Sequence, residues 1–387
     1  MTSRPIDNVL SFGMAVRNTL ELKLLDWLTG GDCENIDWES VYKFATEHAL
    51  LGILFQEAQH LQSECSQCKP IPQKLLREWY TFAEKIKTKN KQMNEVCEKL
   101  TENFCIQGFD SIILKGQGIA QYYPEPLLRQ SGDIDVWLIP KSEENASECK
   151  LSQRRDKIVE YVRKLKPKSR IYYHHMDFIR YKDAEIEAHF TPTWLYNPFK
   201  NKLLQDFCRQ NIRKSSNVNG YKFYVPSTCF NIVYILVHIY RHIFDEGVGL
   251  RQLLDYYYVL QNSTKEEITD AFAMISKLRL TKFSAAVMWV MITVFNDSDN
   301  QGWICKPDEK EGRWLLNAIV SGGNFGRYKL SKGQPVLKQH NPDAHFENFA
   351  KRISQSIVLL CHYPDEALWA LPWRIWQFCW RKVKRYN

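Results

Sequence analysis

Two aspartates separated by a single residue stand out in the segment GDIDVWLI, residues 132–139. The surrounding apolar residues are typical of a buried strand. Because side chains alternate across a strand, the carboxylates of Asp133 and Asp135 should share one face. Neighbouring carboxylates repel each other, but a divalent cation between them lets both stay ionised. Oxygen ligands suit Mg²⁺ or Mn²⁺, and Mg²⁺ commonly binds one or two carboxylates together with substrate phosphates. The pair therefore predicts a metal site for phosphate chemistry.

A third carboxylate is available in the segment AEIEAHF, residues 184–190. Strand alternation places Glu185, Glu187 and His189 on one face. If this strand lies beside the Asp-Ile-Asp strand, Glu187 completes a three-carboxylate site. Such a cluster can hold two metal ions that activate an attacking hydroxyl and stabilise a leaving phosphate. Glu187 is preferred to Glu185 because it lies deeper in the strand. His189 is expected either to contact substrate and tune Glu187, or simply to be a sheet histidine satisfied by its neighbours.

A glycine turn precedes the aspartates, in the segment ILKGQGIA, residues 113–120. It follows an apolar strand and leads into a short helix near Ile119. Glycine turns and helix N-termini present free backbone N–H groups to anions. The turn residues that are expected to bind phosphate are Lys115, Gly116, Gln117 and Gly118. Arg129 is a further candidate, because a guanidinium can reach the same phosphates. Either motif alone is a weak signal, but together with a third acid they favour a catalytic site.

Helical periodicity dominates the chain on both sides of these motifs. Apolar residues recur in steps of three, four and seven from Leu75 to Phe104, which predicts one long amphipathic helix that ends near Gly108. Five short strands are then predicted, in SIILKG, DIDVWLI, IYYHHMDFIRY, AEIEAHF and YKFYV, with a tight turn at Lys182-Asp183. A helix should separate the second strand from the third. The pattern is helical again after Pro226.

These patterns predict an α+β protein in which helical regions flank a small mixed β-sheet. The expected regions are an N-terminal helical region, residues 1–101, a sheet domain, residues 102–225, and a C-terminal helical domain, residues 226–387. A chain of 387 residues is too long for one ordinary core, which agrees with more than one domain. Asp255 lies in an apolar helix and is expected to pair with Arg241 or Arg251.

Composition describes a globular protein, with 44% hydrophobic and 25% charged residues. The net charge of +8 suits polyanionic partners such as nucleotides or RNA, although ordinary surface lysines explain it equally well. Eleven cysteines without a disulfide framework, and no apolar leader at the start, predict reduced thiols and a cytoplasmic location. The longest apolar run, residues 283–295, is too short to cross a bilayer, so no transmembrane segment is expected.

The tail LPWRIWQFCWRKVKRYN combines three tryptophans at helical spacing with a basic end. We interpret Trp373, Trp376 and Trp380 as part of a helix packed on the body of the protein, with a solvated basic terminus. The alternative is that this tail contacts RNA or a membrane surface.

The order of these motifs resembles a known family. Leu-Lys-Gly, a tyrosine, Arg129, Gly-Asp-Ile-Asp and later Ile-Glu-Ala-His look like the uncharacterised bacterial nucleotidyltransferase family of the DNA polymerase beta superfamily. Gly116 matches the turn glycine of the family, Asp133 and Asp135 match the paired acids, and Glu187 matches the third acid. The turn lacks the second Gly or Ser of the wider superfamily, and Ala188 stands where the family favours a bulky residue. The resemblance is strongest over residues 113–138 and does not cover the first hundred residues.

The resemblance implies that residues 102–225 form a nucleotidyltransferase-like catalytic domain. It implies a Mg²⁺-dependent (or Mn²⁺-dependent) transfer of a nucleoside monophosphate from an NTP, such as ATP, to an acceptor hydroxyl or phosphate, with release of pyrophosphate. Asp133, Asp135 and Glu187 would be the catalytic metal ligands. The acceptor is open among small molecules, RNA and protein side chains. The alternative is a non-catalytic protein that kept the fold and binds a nucleotide, RNA or a protein partner in its cleft.

Overall fold

The N-terminal part of the chain is helical. The computed structural model describes residues 20–141, 151–181, 184–212, 216–218, 220–245, 247–295, 305–322, 328–331, 334–337 and 357–384. The first helices are α1 (Leu20–Thr29), α2 (Trp38–His48), α3 (Leu51–Glu64) and α4 (Gln73–Ile106). Helix α4 is the long amphipathic helix that the sequence predicted, with 34 residues. Just beyond it, Gly108 adopts a positive φ of 81°, which lets the chain turn into the first strand.

A six-stranded mixed sheet follows, in agreement with the predicted fold class. Its strands are β1 (Phe109–Leu114), β2 (Ile134–Pro140), β3 (His175–Asp177), β4 (Ile186–His189), β5 (Ser216–Asn217) and β6 (Tyr224–Val225). Their order across the sheet is β3-β4-β2-β1-β6-β5. Strands β2 and β4 are parallel, as are β1 and β6, and the other neighbouring pairs are antiparallel. The five predicted strands are confirmed, although β3 is shorter than its apolar run.

The hairpin between β3 and β4 is present as the sequence predicted. Tyr181 and Ala184 form an antiparallel bridge on either side of its tip. The predicted turn residues, Lys182-Asp183, lie outside the described residues. The paired flanks are sufficient to fix the direction of β4 relative to β3.

Three helices connect the strands: α5 (Lys115–Ala120), α6 (Leu151–Leu165) and α7 (Pro198–Asn211). The short helix expected near Ile119 thus begins earlier, at Lys115. A 3₁₀ helix, Pro126–Leu128, precedes β2. Parallel strands need a long crossover connection, and α6 lies within the connection from β2 toward β4.

The C-terminal part is again helical. Its helices are α8 (Thr228–Asp245), α9 (Leu250–Gln261), α10 (Lys265–Lys277), α11 (Thr281–Phe295), α12 (Glu309–Gly322) and α13 (Pro364–Val383). A hairpin of β7 (Tyr328–Ser331) and β8 (Gln334–Leu337) follows α12. Among the described helices, none has both the length and the apolar character needed to cross a membrane.

The sheet separates two apolar cores. On one face, Val136 and Leu138 of β2 pack with α4 and with Ile158 and Val162 of α6. On the other face, Trp137 and Ile139 pack against a larger core that is shared by the N-terminal and C-terminal helices. Alternation places Asp135 on the second face, beside Trp137. The C-terminal helices therefore cover the side of the sheet that carries the acids, while the division into three regions stays a prediction.

Candidate active site

The acids predicted from the sequence meet at the centre of the sheet. The parallel pairing of β2 and β4 places Asp135 directly opposite Glu187. Asp133 is the residue before β2; it is half-buried and lines the same cavity as Glu187. The strand arrangement that the sequence argument required, with Glu187 beside the Asp-Ile-Asp segment, is therefore present.

One cluster of side chains has the geometry of a metal site. The ligand atoms of Asp135, Glu187 and His189 lie within 4.8 Å of one another. His189 Nε2 is 2.8 Å from Asp135 Oδ1 and 3.2 Å from Glu187 Oε2. Asp135 Oδ2 and His189 Nδ1 are buried and have no hydrogen-bond partner among the described residues. Such orphaned polar atoms are costly unless a ligand satisfies them. Two carboxylates and one imidazole fit a divalent cation.

Lys115 is the nearest cation to this cluster. Its Nζ lies 2.9 Å from Asp135 Oδ1, and its backbone has a positive φ of 43°. The side chain of Asp135 is only 1% exposed, whereas that of Lys115 is 24% exposed and lines the cavity. The pair neutralises a carboxylate that would otherwise be buried alone. Lys115 was predicted to bind phosphate, and its position at the cavity wall is compatible with that prediction.

The electrostatic environment separates the two aspartates. Burial alone would raise the pKa of Asp135, but the Lys115 ammonium and the His189 imidazole outweigh it and hold that pKa below its usual range. Burial, together with the charge of Asp135, raises the pKa of Asp133 to about 6. Burial opposes the charge on His189, but hydrogen bonds to Asp135 and Glu187 raise its pKa to about 9. At neutral pH the cluster therefore holds an ionised Asp135 between two cations.

The backbone of the glycine turn favours glycine at position 116. Gly116 adopts φ 25° and ψ −110°, and a Cβ there would lie 3.4 Å from the carbonyl oxygen of Asp133. Gly118 is constrained by packing instead, because a Cβ added at this position would lie 2.7 Å from the carbonyl oxygen of Ile113. The side chain of Gln117 is buried, and its amide donates to Asn94 of α4 at 3.0 Å. Phosphate contact by Gln117 would therefore come from its backbone.

Gly116→Val is expected to weaken Mg-NTP binding by roughly tenfold or more, because a β-branched residue strains a positive φ and narrows the turn. Isothermal titration with Mg-ATP would measure the change, and thermal unfolding would measure the accompanying loss of stability. Gly30→Val is the matched control, since Gly30 has a positive φ of 68°, an added Cβ there meets nothing within 4 Å, and it does not line the cavity. A variant that binds Mg-ATP like the wild type would show that this turn does not hold phosphate.

Arg129 forms a buried ion pair. Its guanidinium donates to both carboxylate oxygens of Asp255 on α9, each at 2.7 Å, and it also donates to Ser131 Oγ at 3.1 Å. The hydroxyl of Tyr123 donates to the same carboxylate at 2.6 Å. Asp255 thus pairs with Arg129, and the expectation that Arg241 or Arg251 would be its partner was wrong. The pair ties the loop before β2 to the C-terminal helices; a phosphate contact by Arg129 stays a prediction.

Asp255→Asn is expected to lower the free energy of unfolding by about 3–5 kcal/mol, because it leaves the Arg129 guanidinium buried without its counter-charge. Chemical denaturation would measure this loss. Asp270→Asn, at an exposed position on the neighbouring helix α10, is the control. If both variants are equally stable, the ion pair contributes nothing to holding the loop.

Two histidines complete the site: His175, the first residue of β3, and His174, which precedes it. His175 Nε2 lies 3.5 Å from Glu187 Oε1, and its Nδ1 is 3.0 Å from His174 Nε2. The indole N–H of Trp194 donates to His174 Nδ1 at 3.1 Å. Burial lowers the pKa of both imidazoles, that of His175 to about 4, so both are neutral at pH 7. From the sequence, His189 is expected either to contact substrate or tune Glu187, or to be an ordinary sheet histidine; the structure places both His175 and His189 against Glu187.

Two adjoining cavities open onto the acids. The smaller cavity has a volume of about 230 Å³ and is lined by Lys115, Gly116, Asp133 and Glu187, among others. The larger cavity, of about 850 Å³, contains Glu187 in its wall but neither Lys115 nor Asp133. Glu187 is therefore shared between them.

The family match spans the sheet, the turn and the acid cluster. The chain belongs to the family described as uncharacterised nucleotidyltransferase, whose model matches residues 34–296. The match covers more than half of the chain and takes in α2, α3 and α4, so the expectation that the resemblance excludes the first hundred residues was wrong.

Among solved structures, the chain is similar to the crystal structure of an antigenic nucleotidyltransferase-like protein from Paracoccidioides brasiliensis. The identity is 14% and the TM-score is 0.32, over 51% of this chain and 93% of that chain. No curated protein matches the chain.

Proposed function

We propose that this protein is a metal-dependent nucleotidyltransferase that transfers a nucleoside monophosphate from an NTP to a hydroxyl or phosphate of an acceptor. The observation that supports this most directly is the in-register pairing of Asp135 with Glu187, next to Asp133 and the Gly116 turn. Membership of a nucleotidyltransferase family supports the reaction type. Placement within the DNA polymerase beta superfamily is part of the proposal.

The residues that would hold Mg²⁺ (or Mn²⁺) are Asp133, Asp135 and Glu187, with His189 as an additional ligand candidate. When bound, the ion would supply positive charge to the transferring phosphate and acidify the attacking hydroxyl. The orphaned Asp135 Oδ2 atom is the feature of the chain that best fits such an ion. Because Lys115 and His189 already balance Asp135, metal binding is expected to displace or reposition one of these cations.

The residues of the chain divide the remaining tasks. The Lys115 ammonium and the backbone N–H groups of the Gly116 turn would hold the triphosphate in the smaller cavity. Glu187 would accept the proton of the acceptor hydroxyl. The acceptor oxygen then forms a bond to the α-phosphorus, the bond from that phosphorus to the bridging oxygen breaks, and pyrophosphate leaves with the electron pair. His175 lies 3.5 Å from Glu187 and would help to orient it.

The proposal can be tested without knowing the acceptor. Each of the four NTPs, labelled on the α-phosphate, would be incubated with the protein, Mg²⁺ and a cell extract, and labelled products would be identified. Isothermal titration with Mg-ATP, using the wild type and the Asp133→Asn, Asp135→Asn double variant, separates the enzyme from a non-catalytic nucleotide-binding protein. Labelled products that form with the wild type and not with the double variant support the nucleotidyltransferase. Metal-dependent binding without any labelling supports the non-catalytic alternative.

The C-terminal tail offers a further partner surface. Helix α13 packs Trp373 against Trp194, with ring centroids 3.8 Å apart, which agrees with a helix docked on the body of the protein. Its other side exposes Leu371, Ile375 and Phe378. Contact of this aromatic and basic tail with RNA or a membrane surface remains a proposal.

A further inference from the structure

The larger cavity adjoins the smaller one and has Glu187 in its wall, but none of the residues of the phosphate turn line it. Four parts of the fold form it: the β3–β4 hairpin with the segment that precedes it, the segment of Trp194 and Tyr196 that follows β4, the C-terminal end of α8, and one side of α13. It shares its boundary with the smaller cavity. The shared residues are His174, His175, Glu187, Trp194, Arg241 and Asp245. A molecule in the larger cavity would therefore approach Glu187 without entering the phosphate turn.

Among the described residues, the wall of this cavity carries more positive than negative side chains. The basic residues are Lys166, Arg170, Arg180, Arg241, Arg374 and Arg381. The acidic residues are Asp177, Glu185, Glu187 and Asp245. At the base of the cleft, Arg241 and Arg374 both bind Asp245. At its rim, the guanidinium of Arg381 lies 5.7 Å from the centre of the Tyr172 ring. This excess of cations favours an anionic occupant.

The aromatic residues of the cleft hold these arginines in place. Trp194 and Trp373 are stacked with an interplanar angle of 12°. The guanidinium of Arg241 lies 3.3 Å from the ring centre of Trp194. Trp194 is therefore packed between partners of its own chain and acts as a rigid support. The positive charge at the base of the cleft is thus preorganised, which lowers the cost of binding an anion.

We infer that the larger cavity is the acceptor site, and that the acceptor is a small molecule that carries a phosphate in addition to its attacking group. This inference rests on the proposed function. Glu187, the proposed base, is the acid of the catalytic set that faces this cavity, whereas Lys115, Gly116 and Asp133 face the smaller one. A volume of about 850 Å³ is in the range of small-molecule sites. An acceptor phosphate at the arginines places the attacking hydroxyl toward Glu187.

Binding of ribose 5-phosphate and of ribose would test the charge requirement. Isothermal titration of the full chain measures both, and tryptophan fluorescence gives a second readout from the Trp373 side of the cleft. Ribose 5-phosphate is expected to bind at least about tenfold more tightly than ribose, because the guanidinium groups form charge-assisted hydrogen bonds with phosphate only. Equal affinity for the two sugars, or no binding of either, would overturn the inference.

Arginine variants would locate the site. Arg170→Gln and Arg381→Gln are each expected to weaken ribose 5-phosphate binding by about fivefold or more. Arg209→Gln is the matched control, because Arg209 is a partly exposed residue of α7 that pairs with Asp206 and does not line the cleft. An equal effect of all three variants would show that the sugar phosphate binds elsewhere through general charge.

A competition experiment separates this inference from the proposed function. Ribose 5-phosphate is expected to bind equally well when a non-hydrolysable Mg-ATP analogue saturates the protein. Displacement of the sugar phosphate by the analogue would assign the larger cavity to the nucleotide and overturn the inference. If the analogue binds but ribose 5-phosphate does not, the acceptor-site inference is wrong, while the proposed nucleotidyltransferase function is unaffected. If the analogue does not bind in the presence of Mg²⁺, the proposed function fails, whatever the sugar phosphate does. If a short single-stranded RNA binds more tightly than ribose 5-phosphate at the same arginines, the acceptor is RNA and not a small molecule.

Discussion

Asp135→Asn is expected to reduce Mg²⁺-dependent nucleotidyl transfer by about a thousandfold or more. Asp135 is 1% exposed and lies opposite Glu187, and its Oδ2 atom has no partner among the described residues. Metal polarisation of a phosphoryl oxygen is worth several kcal/mol of transition-state stabilisation. Since about 1.4 kcal/mol corresponds to a factor of ten, loss of the ligand removes about three orders of magnitude. Steady-state turnover at saturating Mg-NTP would measure the effect.

The same substitution is also expected to lower stability, which the sequence alone did not suggest. Asp135 is the counter-charge of both Lys115 and His189, at 2.9 Å and 2.8 Å. Removing one partner of a buried ion pair commonly costs about 3–5 kcal/mol. The double variant Lys115→Met, Asp135→Asn should recover part of this stability, because the unbalanced ammonium is gone, and should remain inactive. Because Lys115 is itself a proposed phosphate ligand, the double variant tests stability only; an Asp135→Asn single variant that is folded but inactive would show that the loss of activity does not come from unfolding.

Asp110→Asn is the control for this pair of variants. Asp110 lies on β1 opposite Ile139, toward the end of the strand pair that is remote from Asp135. The Asp110→Asn substitution should therefore leave both the turnover rate and the free energy of unfolding close to those of the wild type. Full turnover by a folded Asp135→Asn variant would contradict the assignment of Asp135 as a metal ligand.

Local patterns in the sequence were enough to predict the arrangement of the acids. The alternation in DIDVWLI and AEIEAHF fixed which side chains share a face, and the pairing of Asp135 with Glu187 follows once β2 and β4 are neighbours. The spacing of apolar residues likewise predicted the long helix α4. These features depend on residues that are close in the sequence, where periodicity carries the information.

The partners of the charged residues depend on contacts that periodicity cannot show. Arg129 is predicted as a phosphate ligand because a guanidinium can reach the phosphates held by the glycine turn. Its partner is Asp255, which is 126 residues further along the chain and reaches it only because α9 packs against the loop before β2. Similarly, the side-chain amide of Gln117 donates a hydrogen bond to Asn94 of α4, which lies 23 residues earlier in the sequence. Strand β5 was not predicted, since a segment of two residues has no detectable alternation.

Glu187→Gln is expected to slow transfer by roughly a hundredfold while Mg-NTP binds nearly as well as in the wild type. A general base affects the chemical step more than nucleotide affinity, and its loss commonly costs a factor of about 10²–10⁴. Gln retains the size of Glu and an oxygen that can accept from His189, so the cluster should keep its packing. Single-turnover kinetics for the rate and titration for the affinity would separate the two effects.

Glu185→Gln is the matched control, because the two acids are two residues apart and differ in their surroundings. The side chain of Glu185 is 71% exposed and pairs with Arg180 at 2.8 Å, whereas that of Glu187 is 26% exposed and contacts His175 and His189. Glu185→Gln should therefore keep at least about half of the wild-type rate, since an exposed ion pair contributes little. If Glu185→Gln is the inactive variant and Glu187→Gln retains activity, the third acid must be reassigned. Because Asp135 and Glu187 are paired in register, that result would also require β4 to slip by two residues along β2 in the active protein.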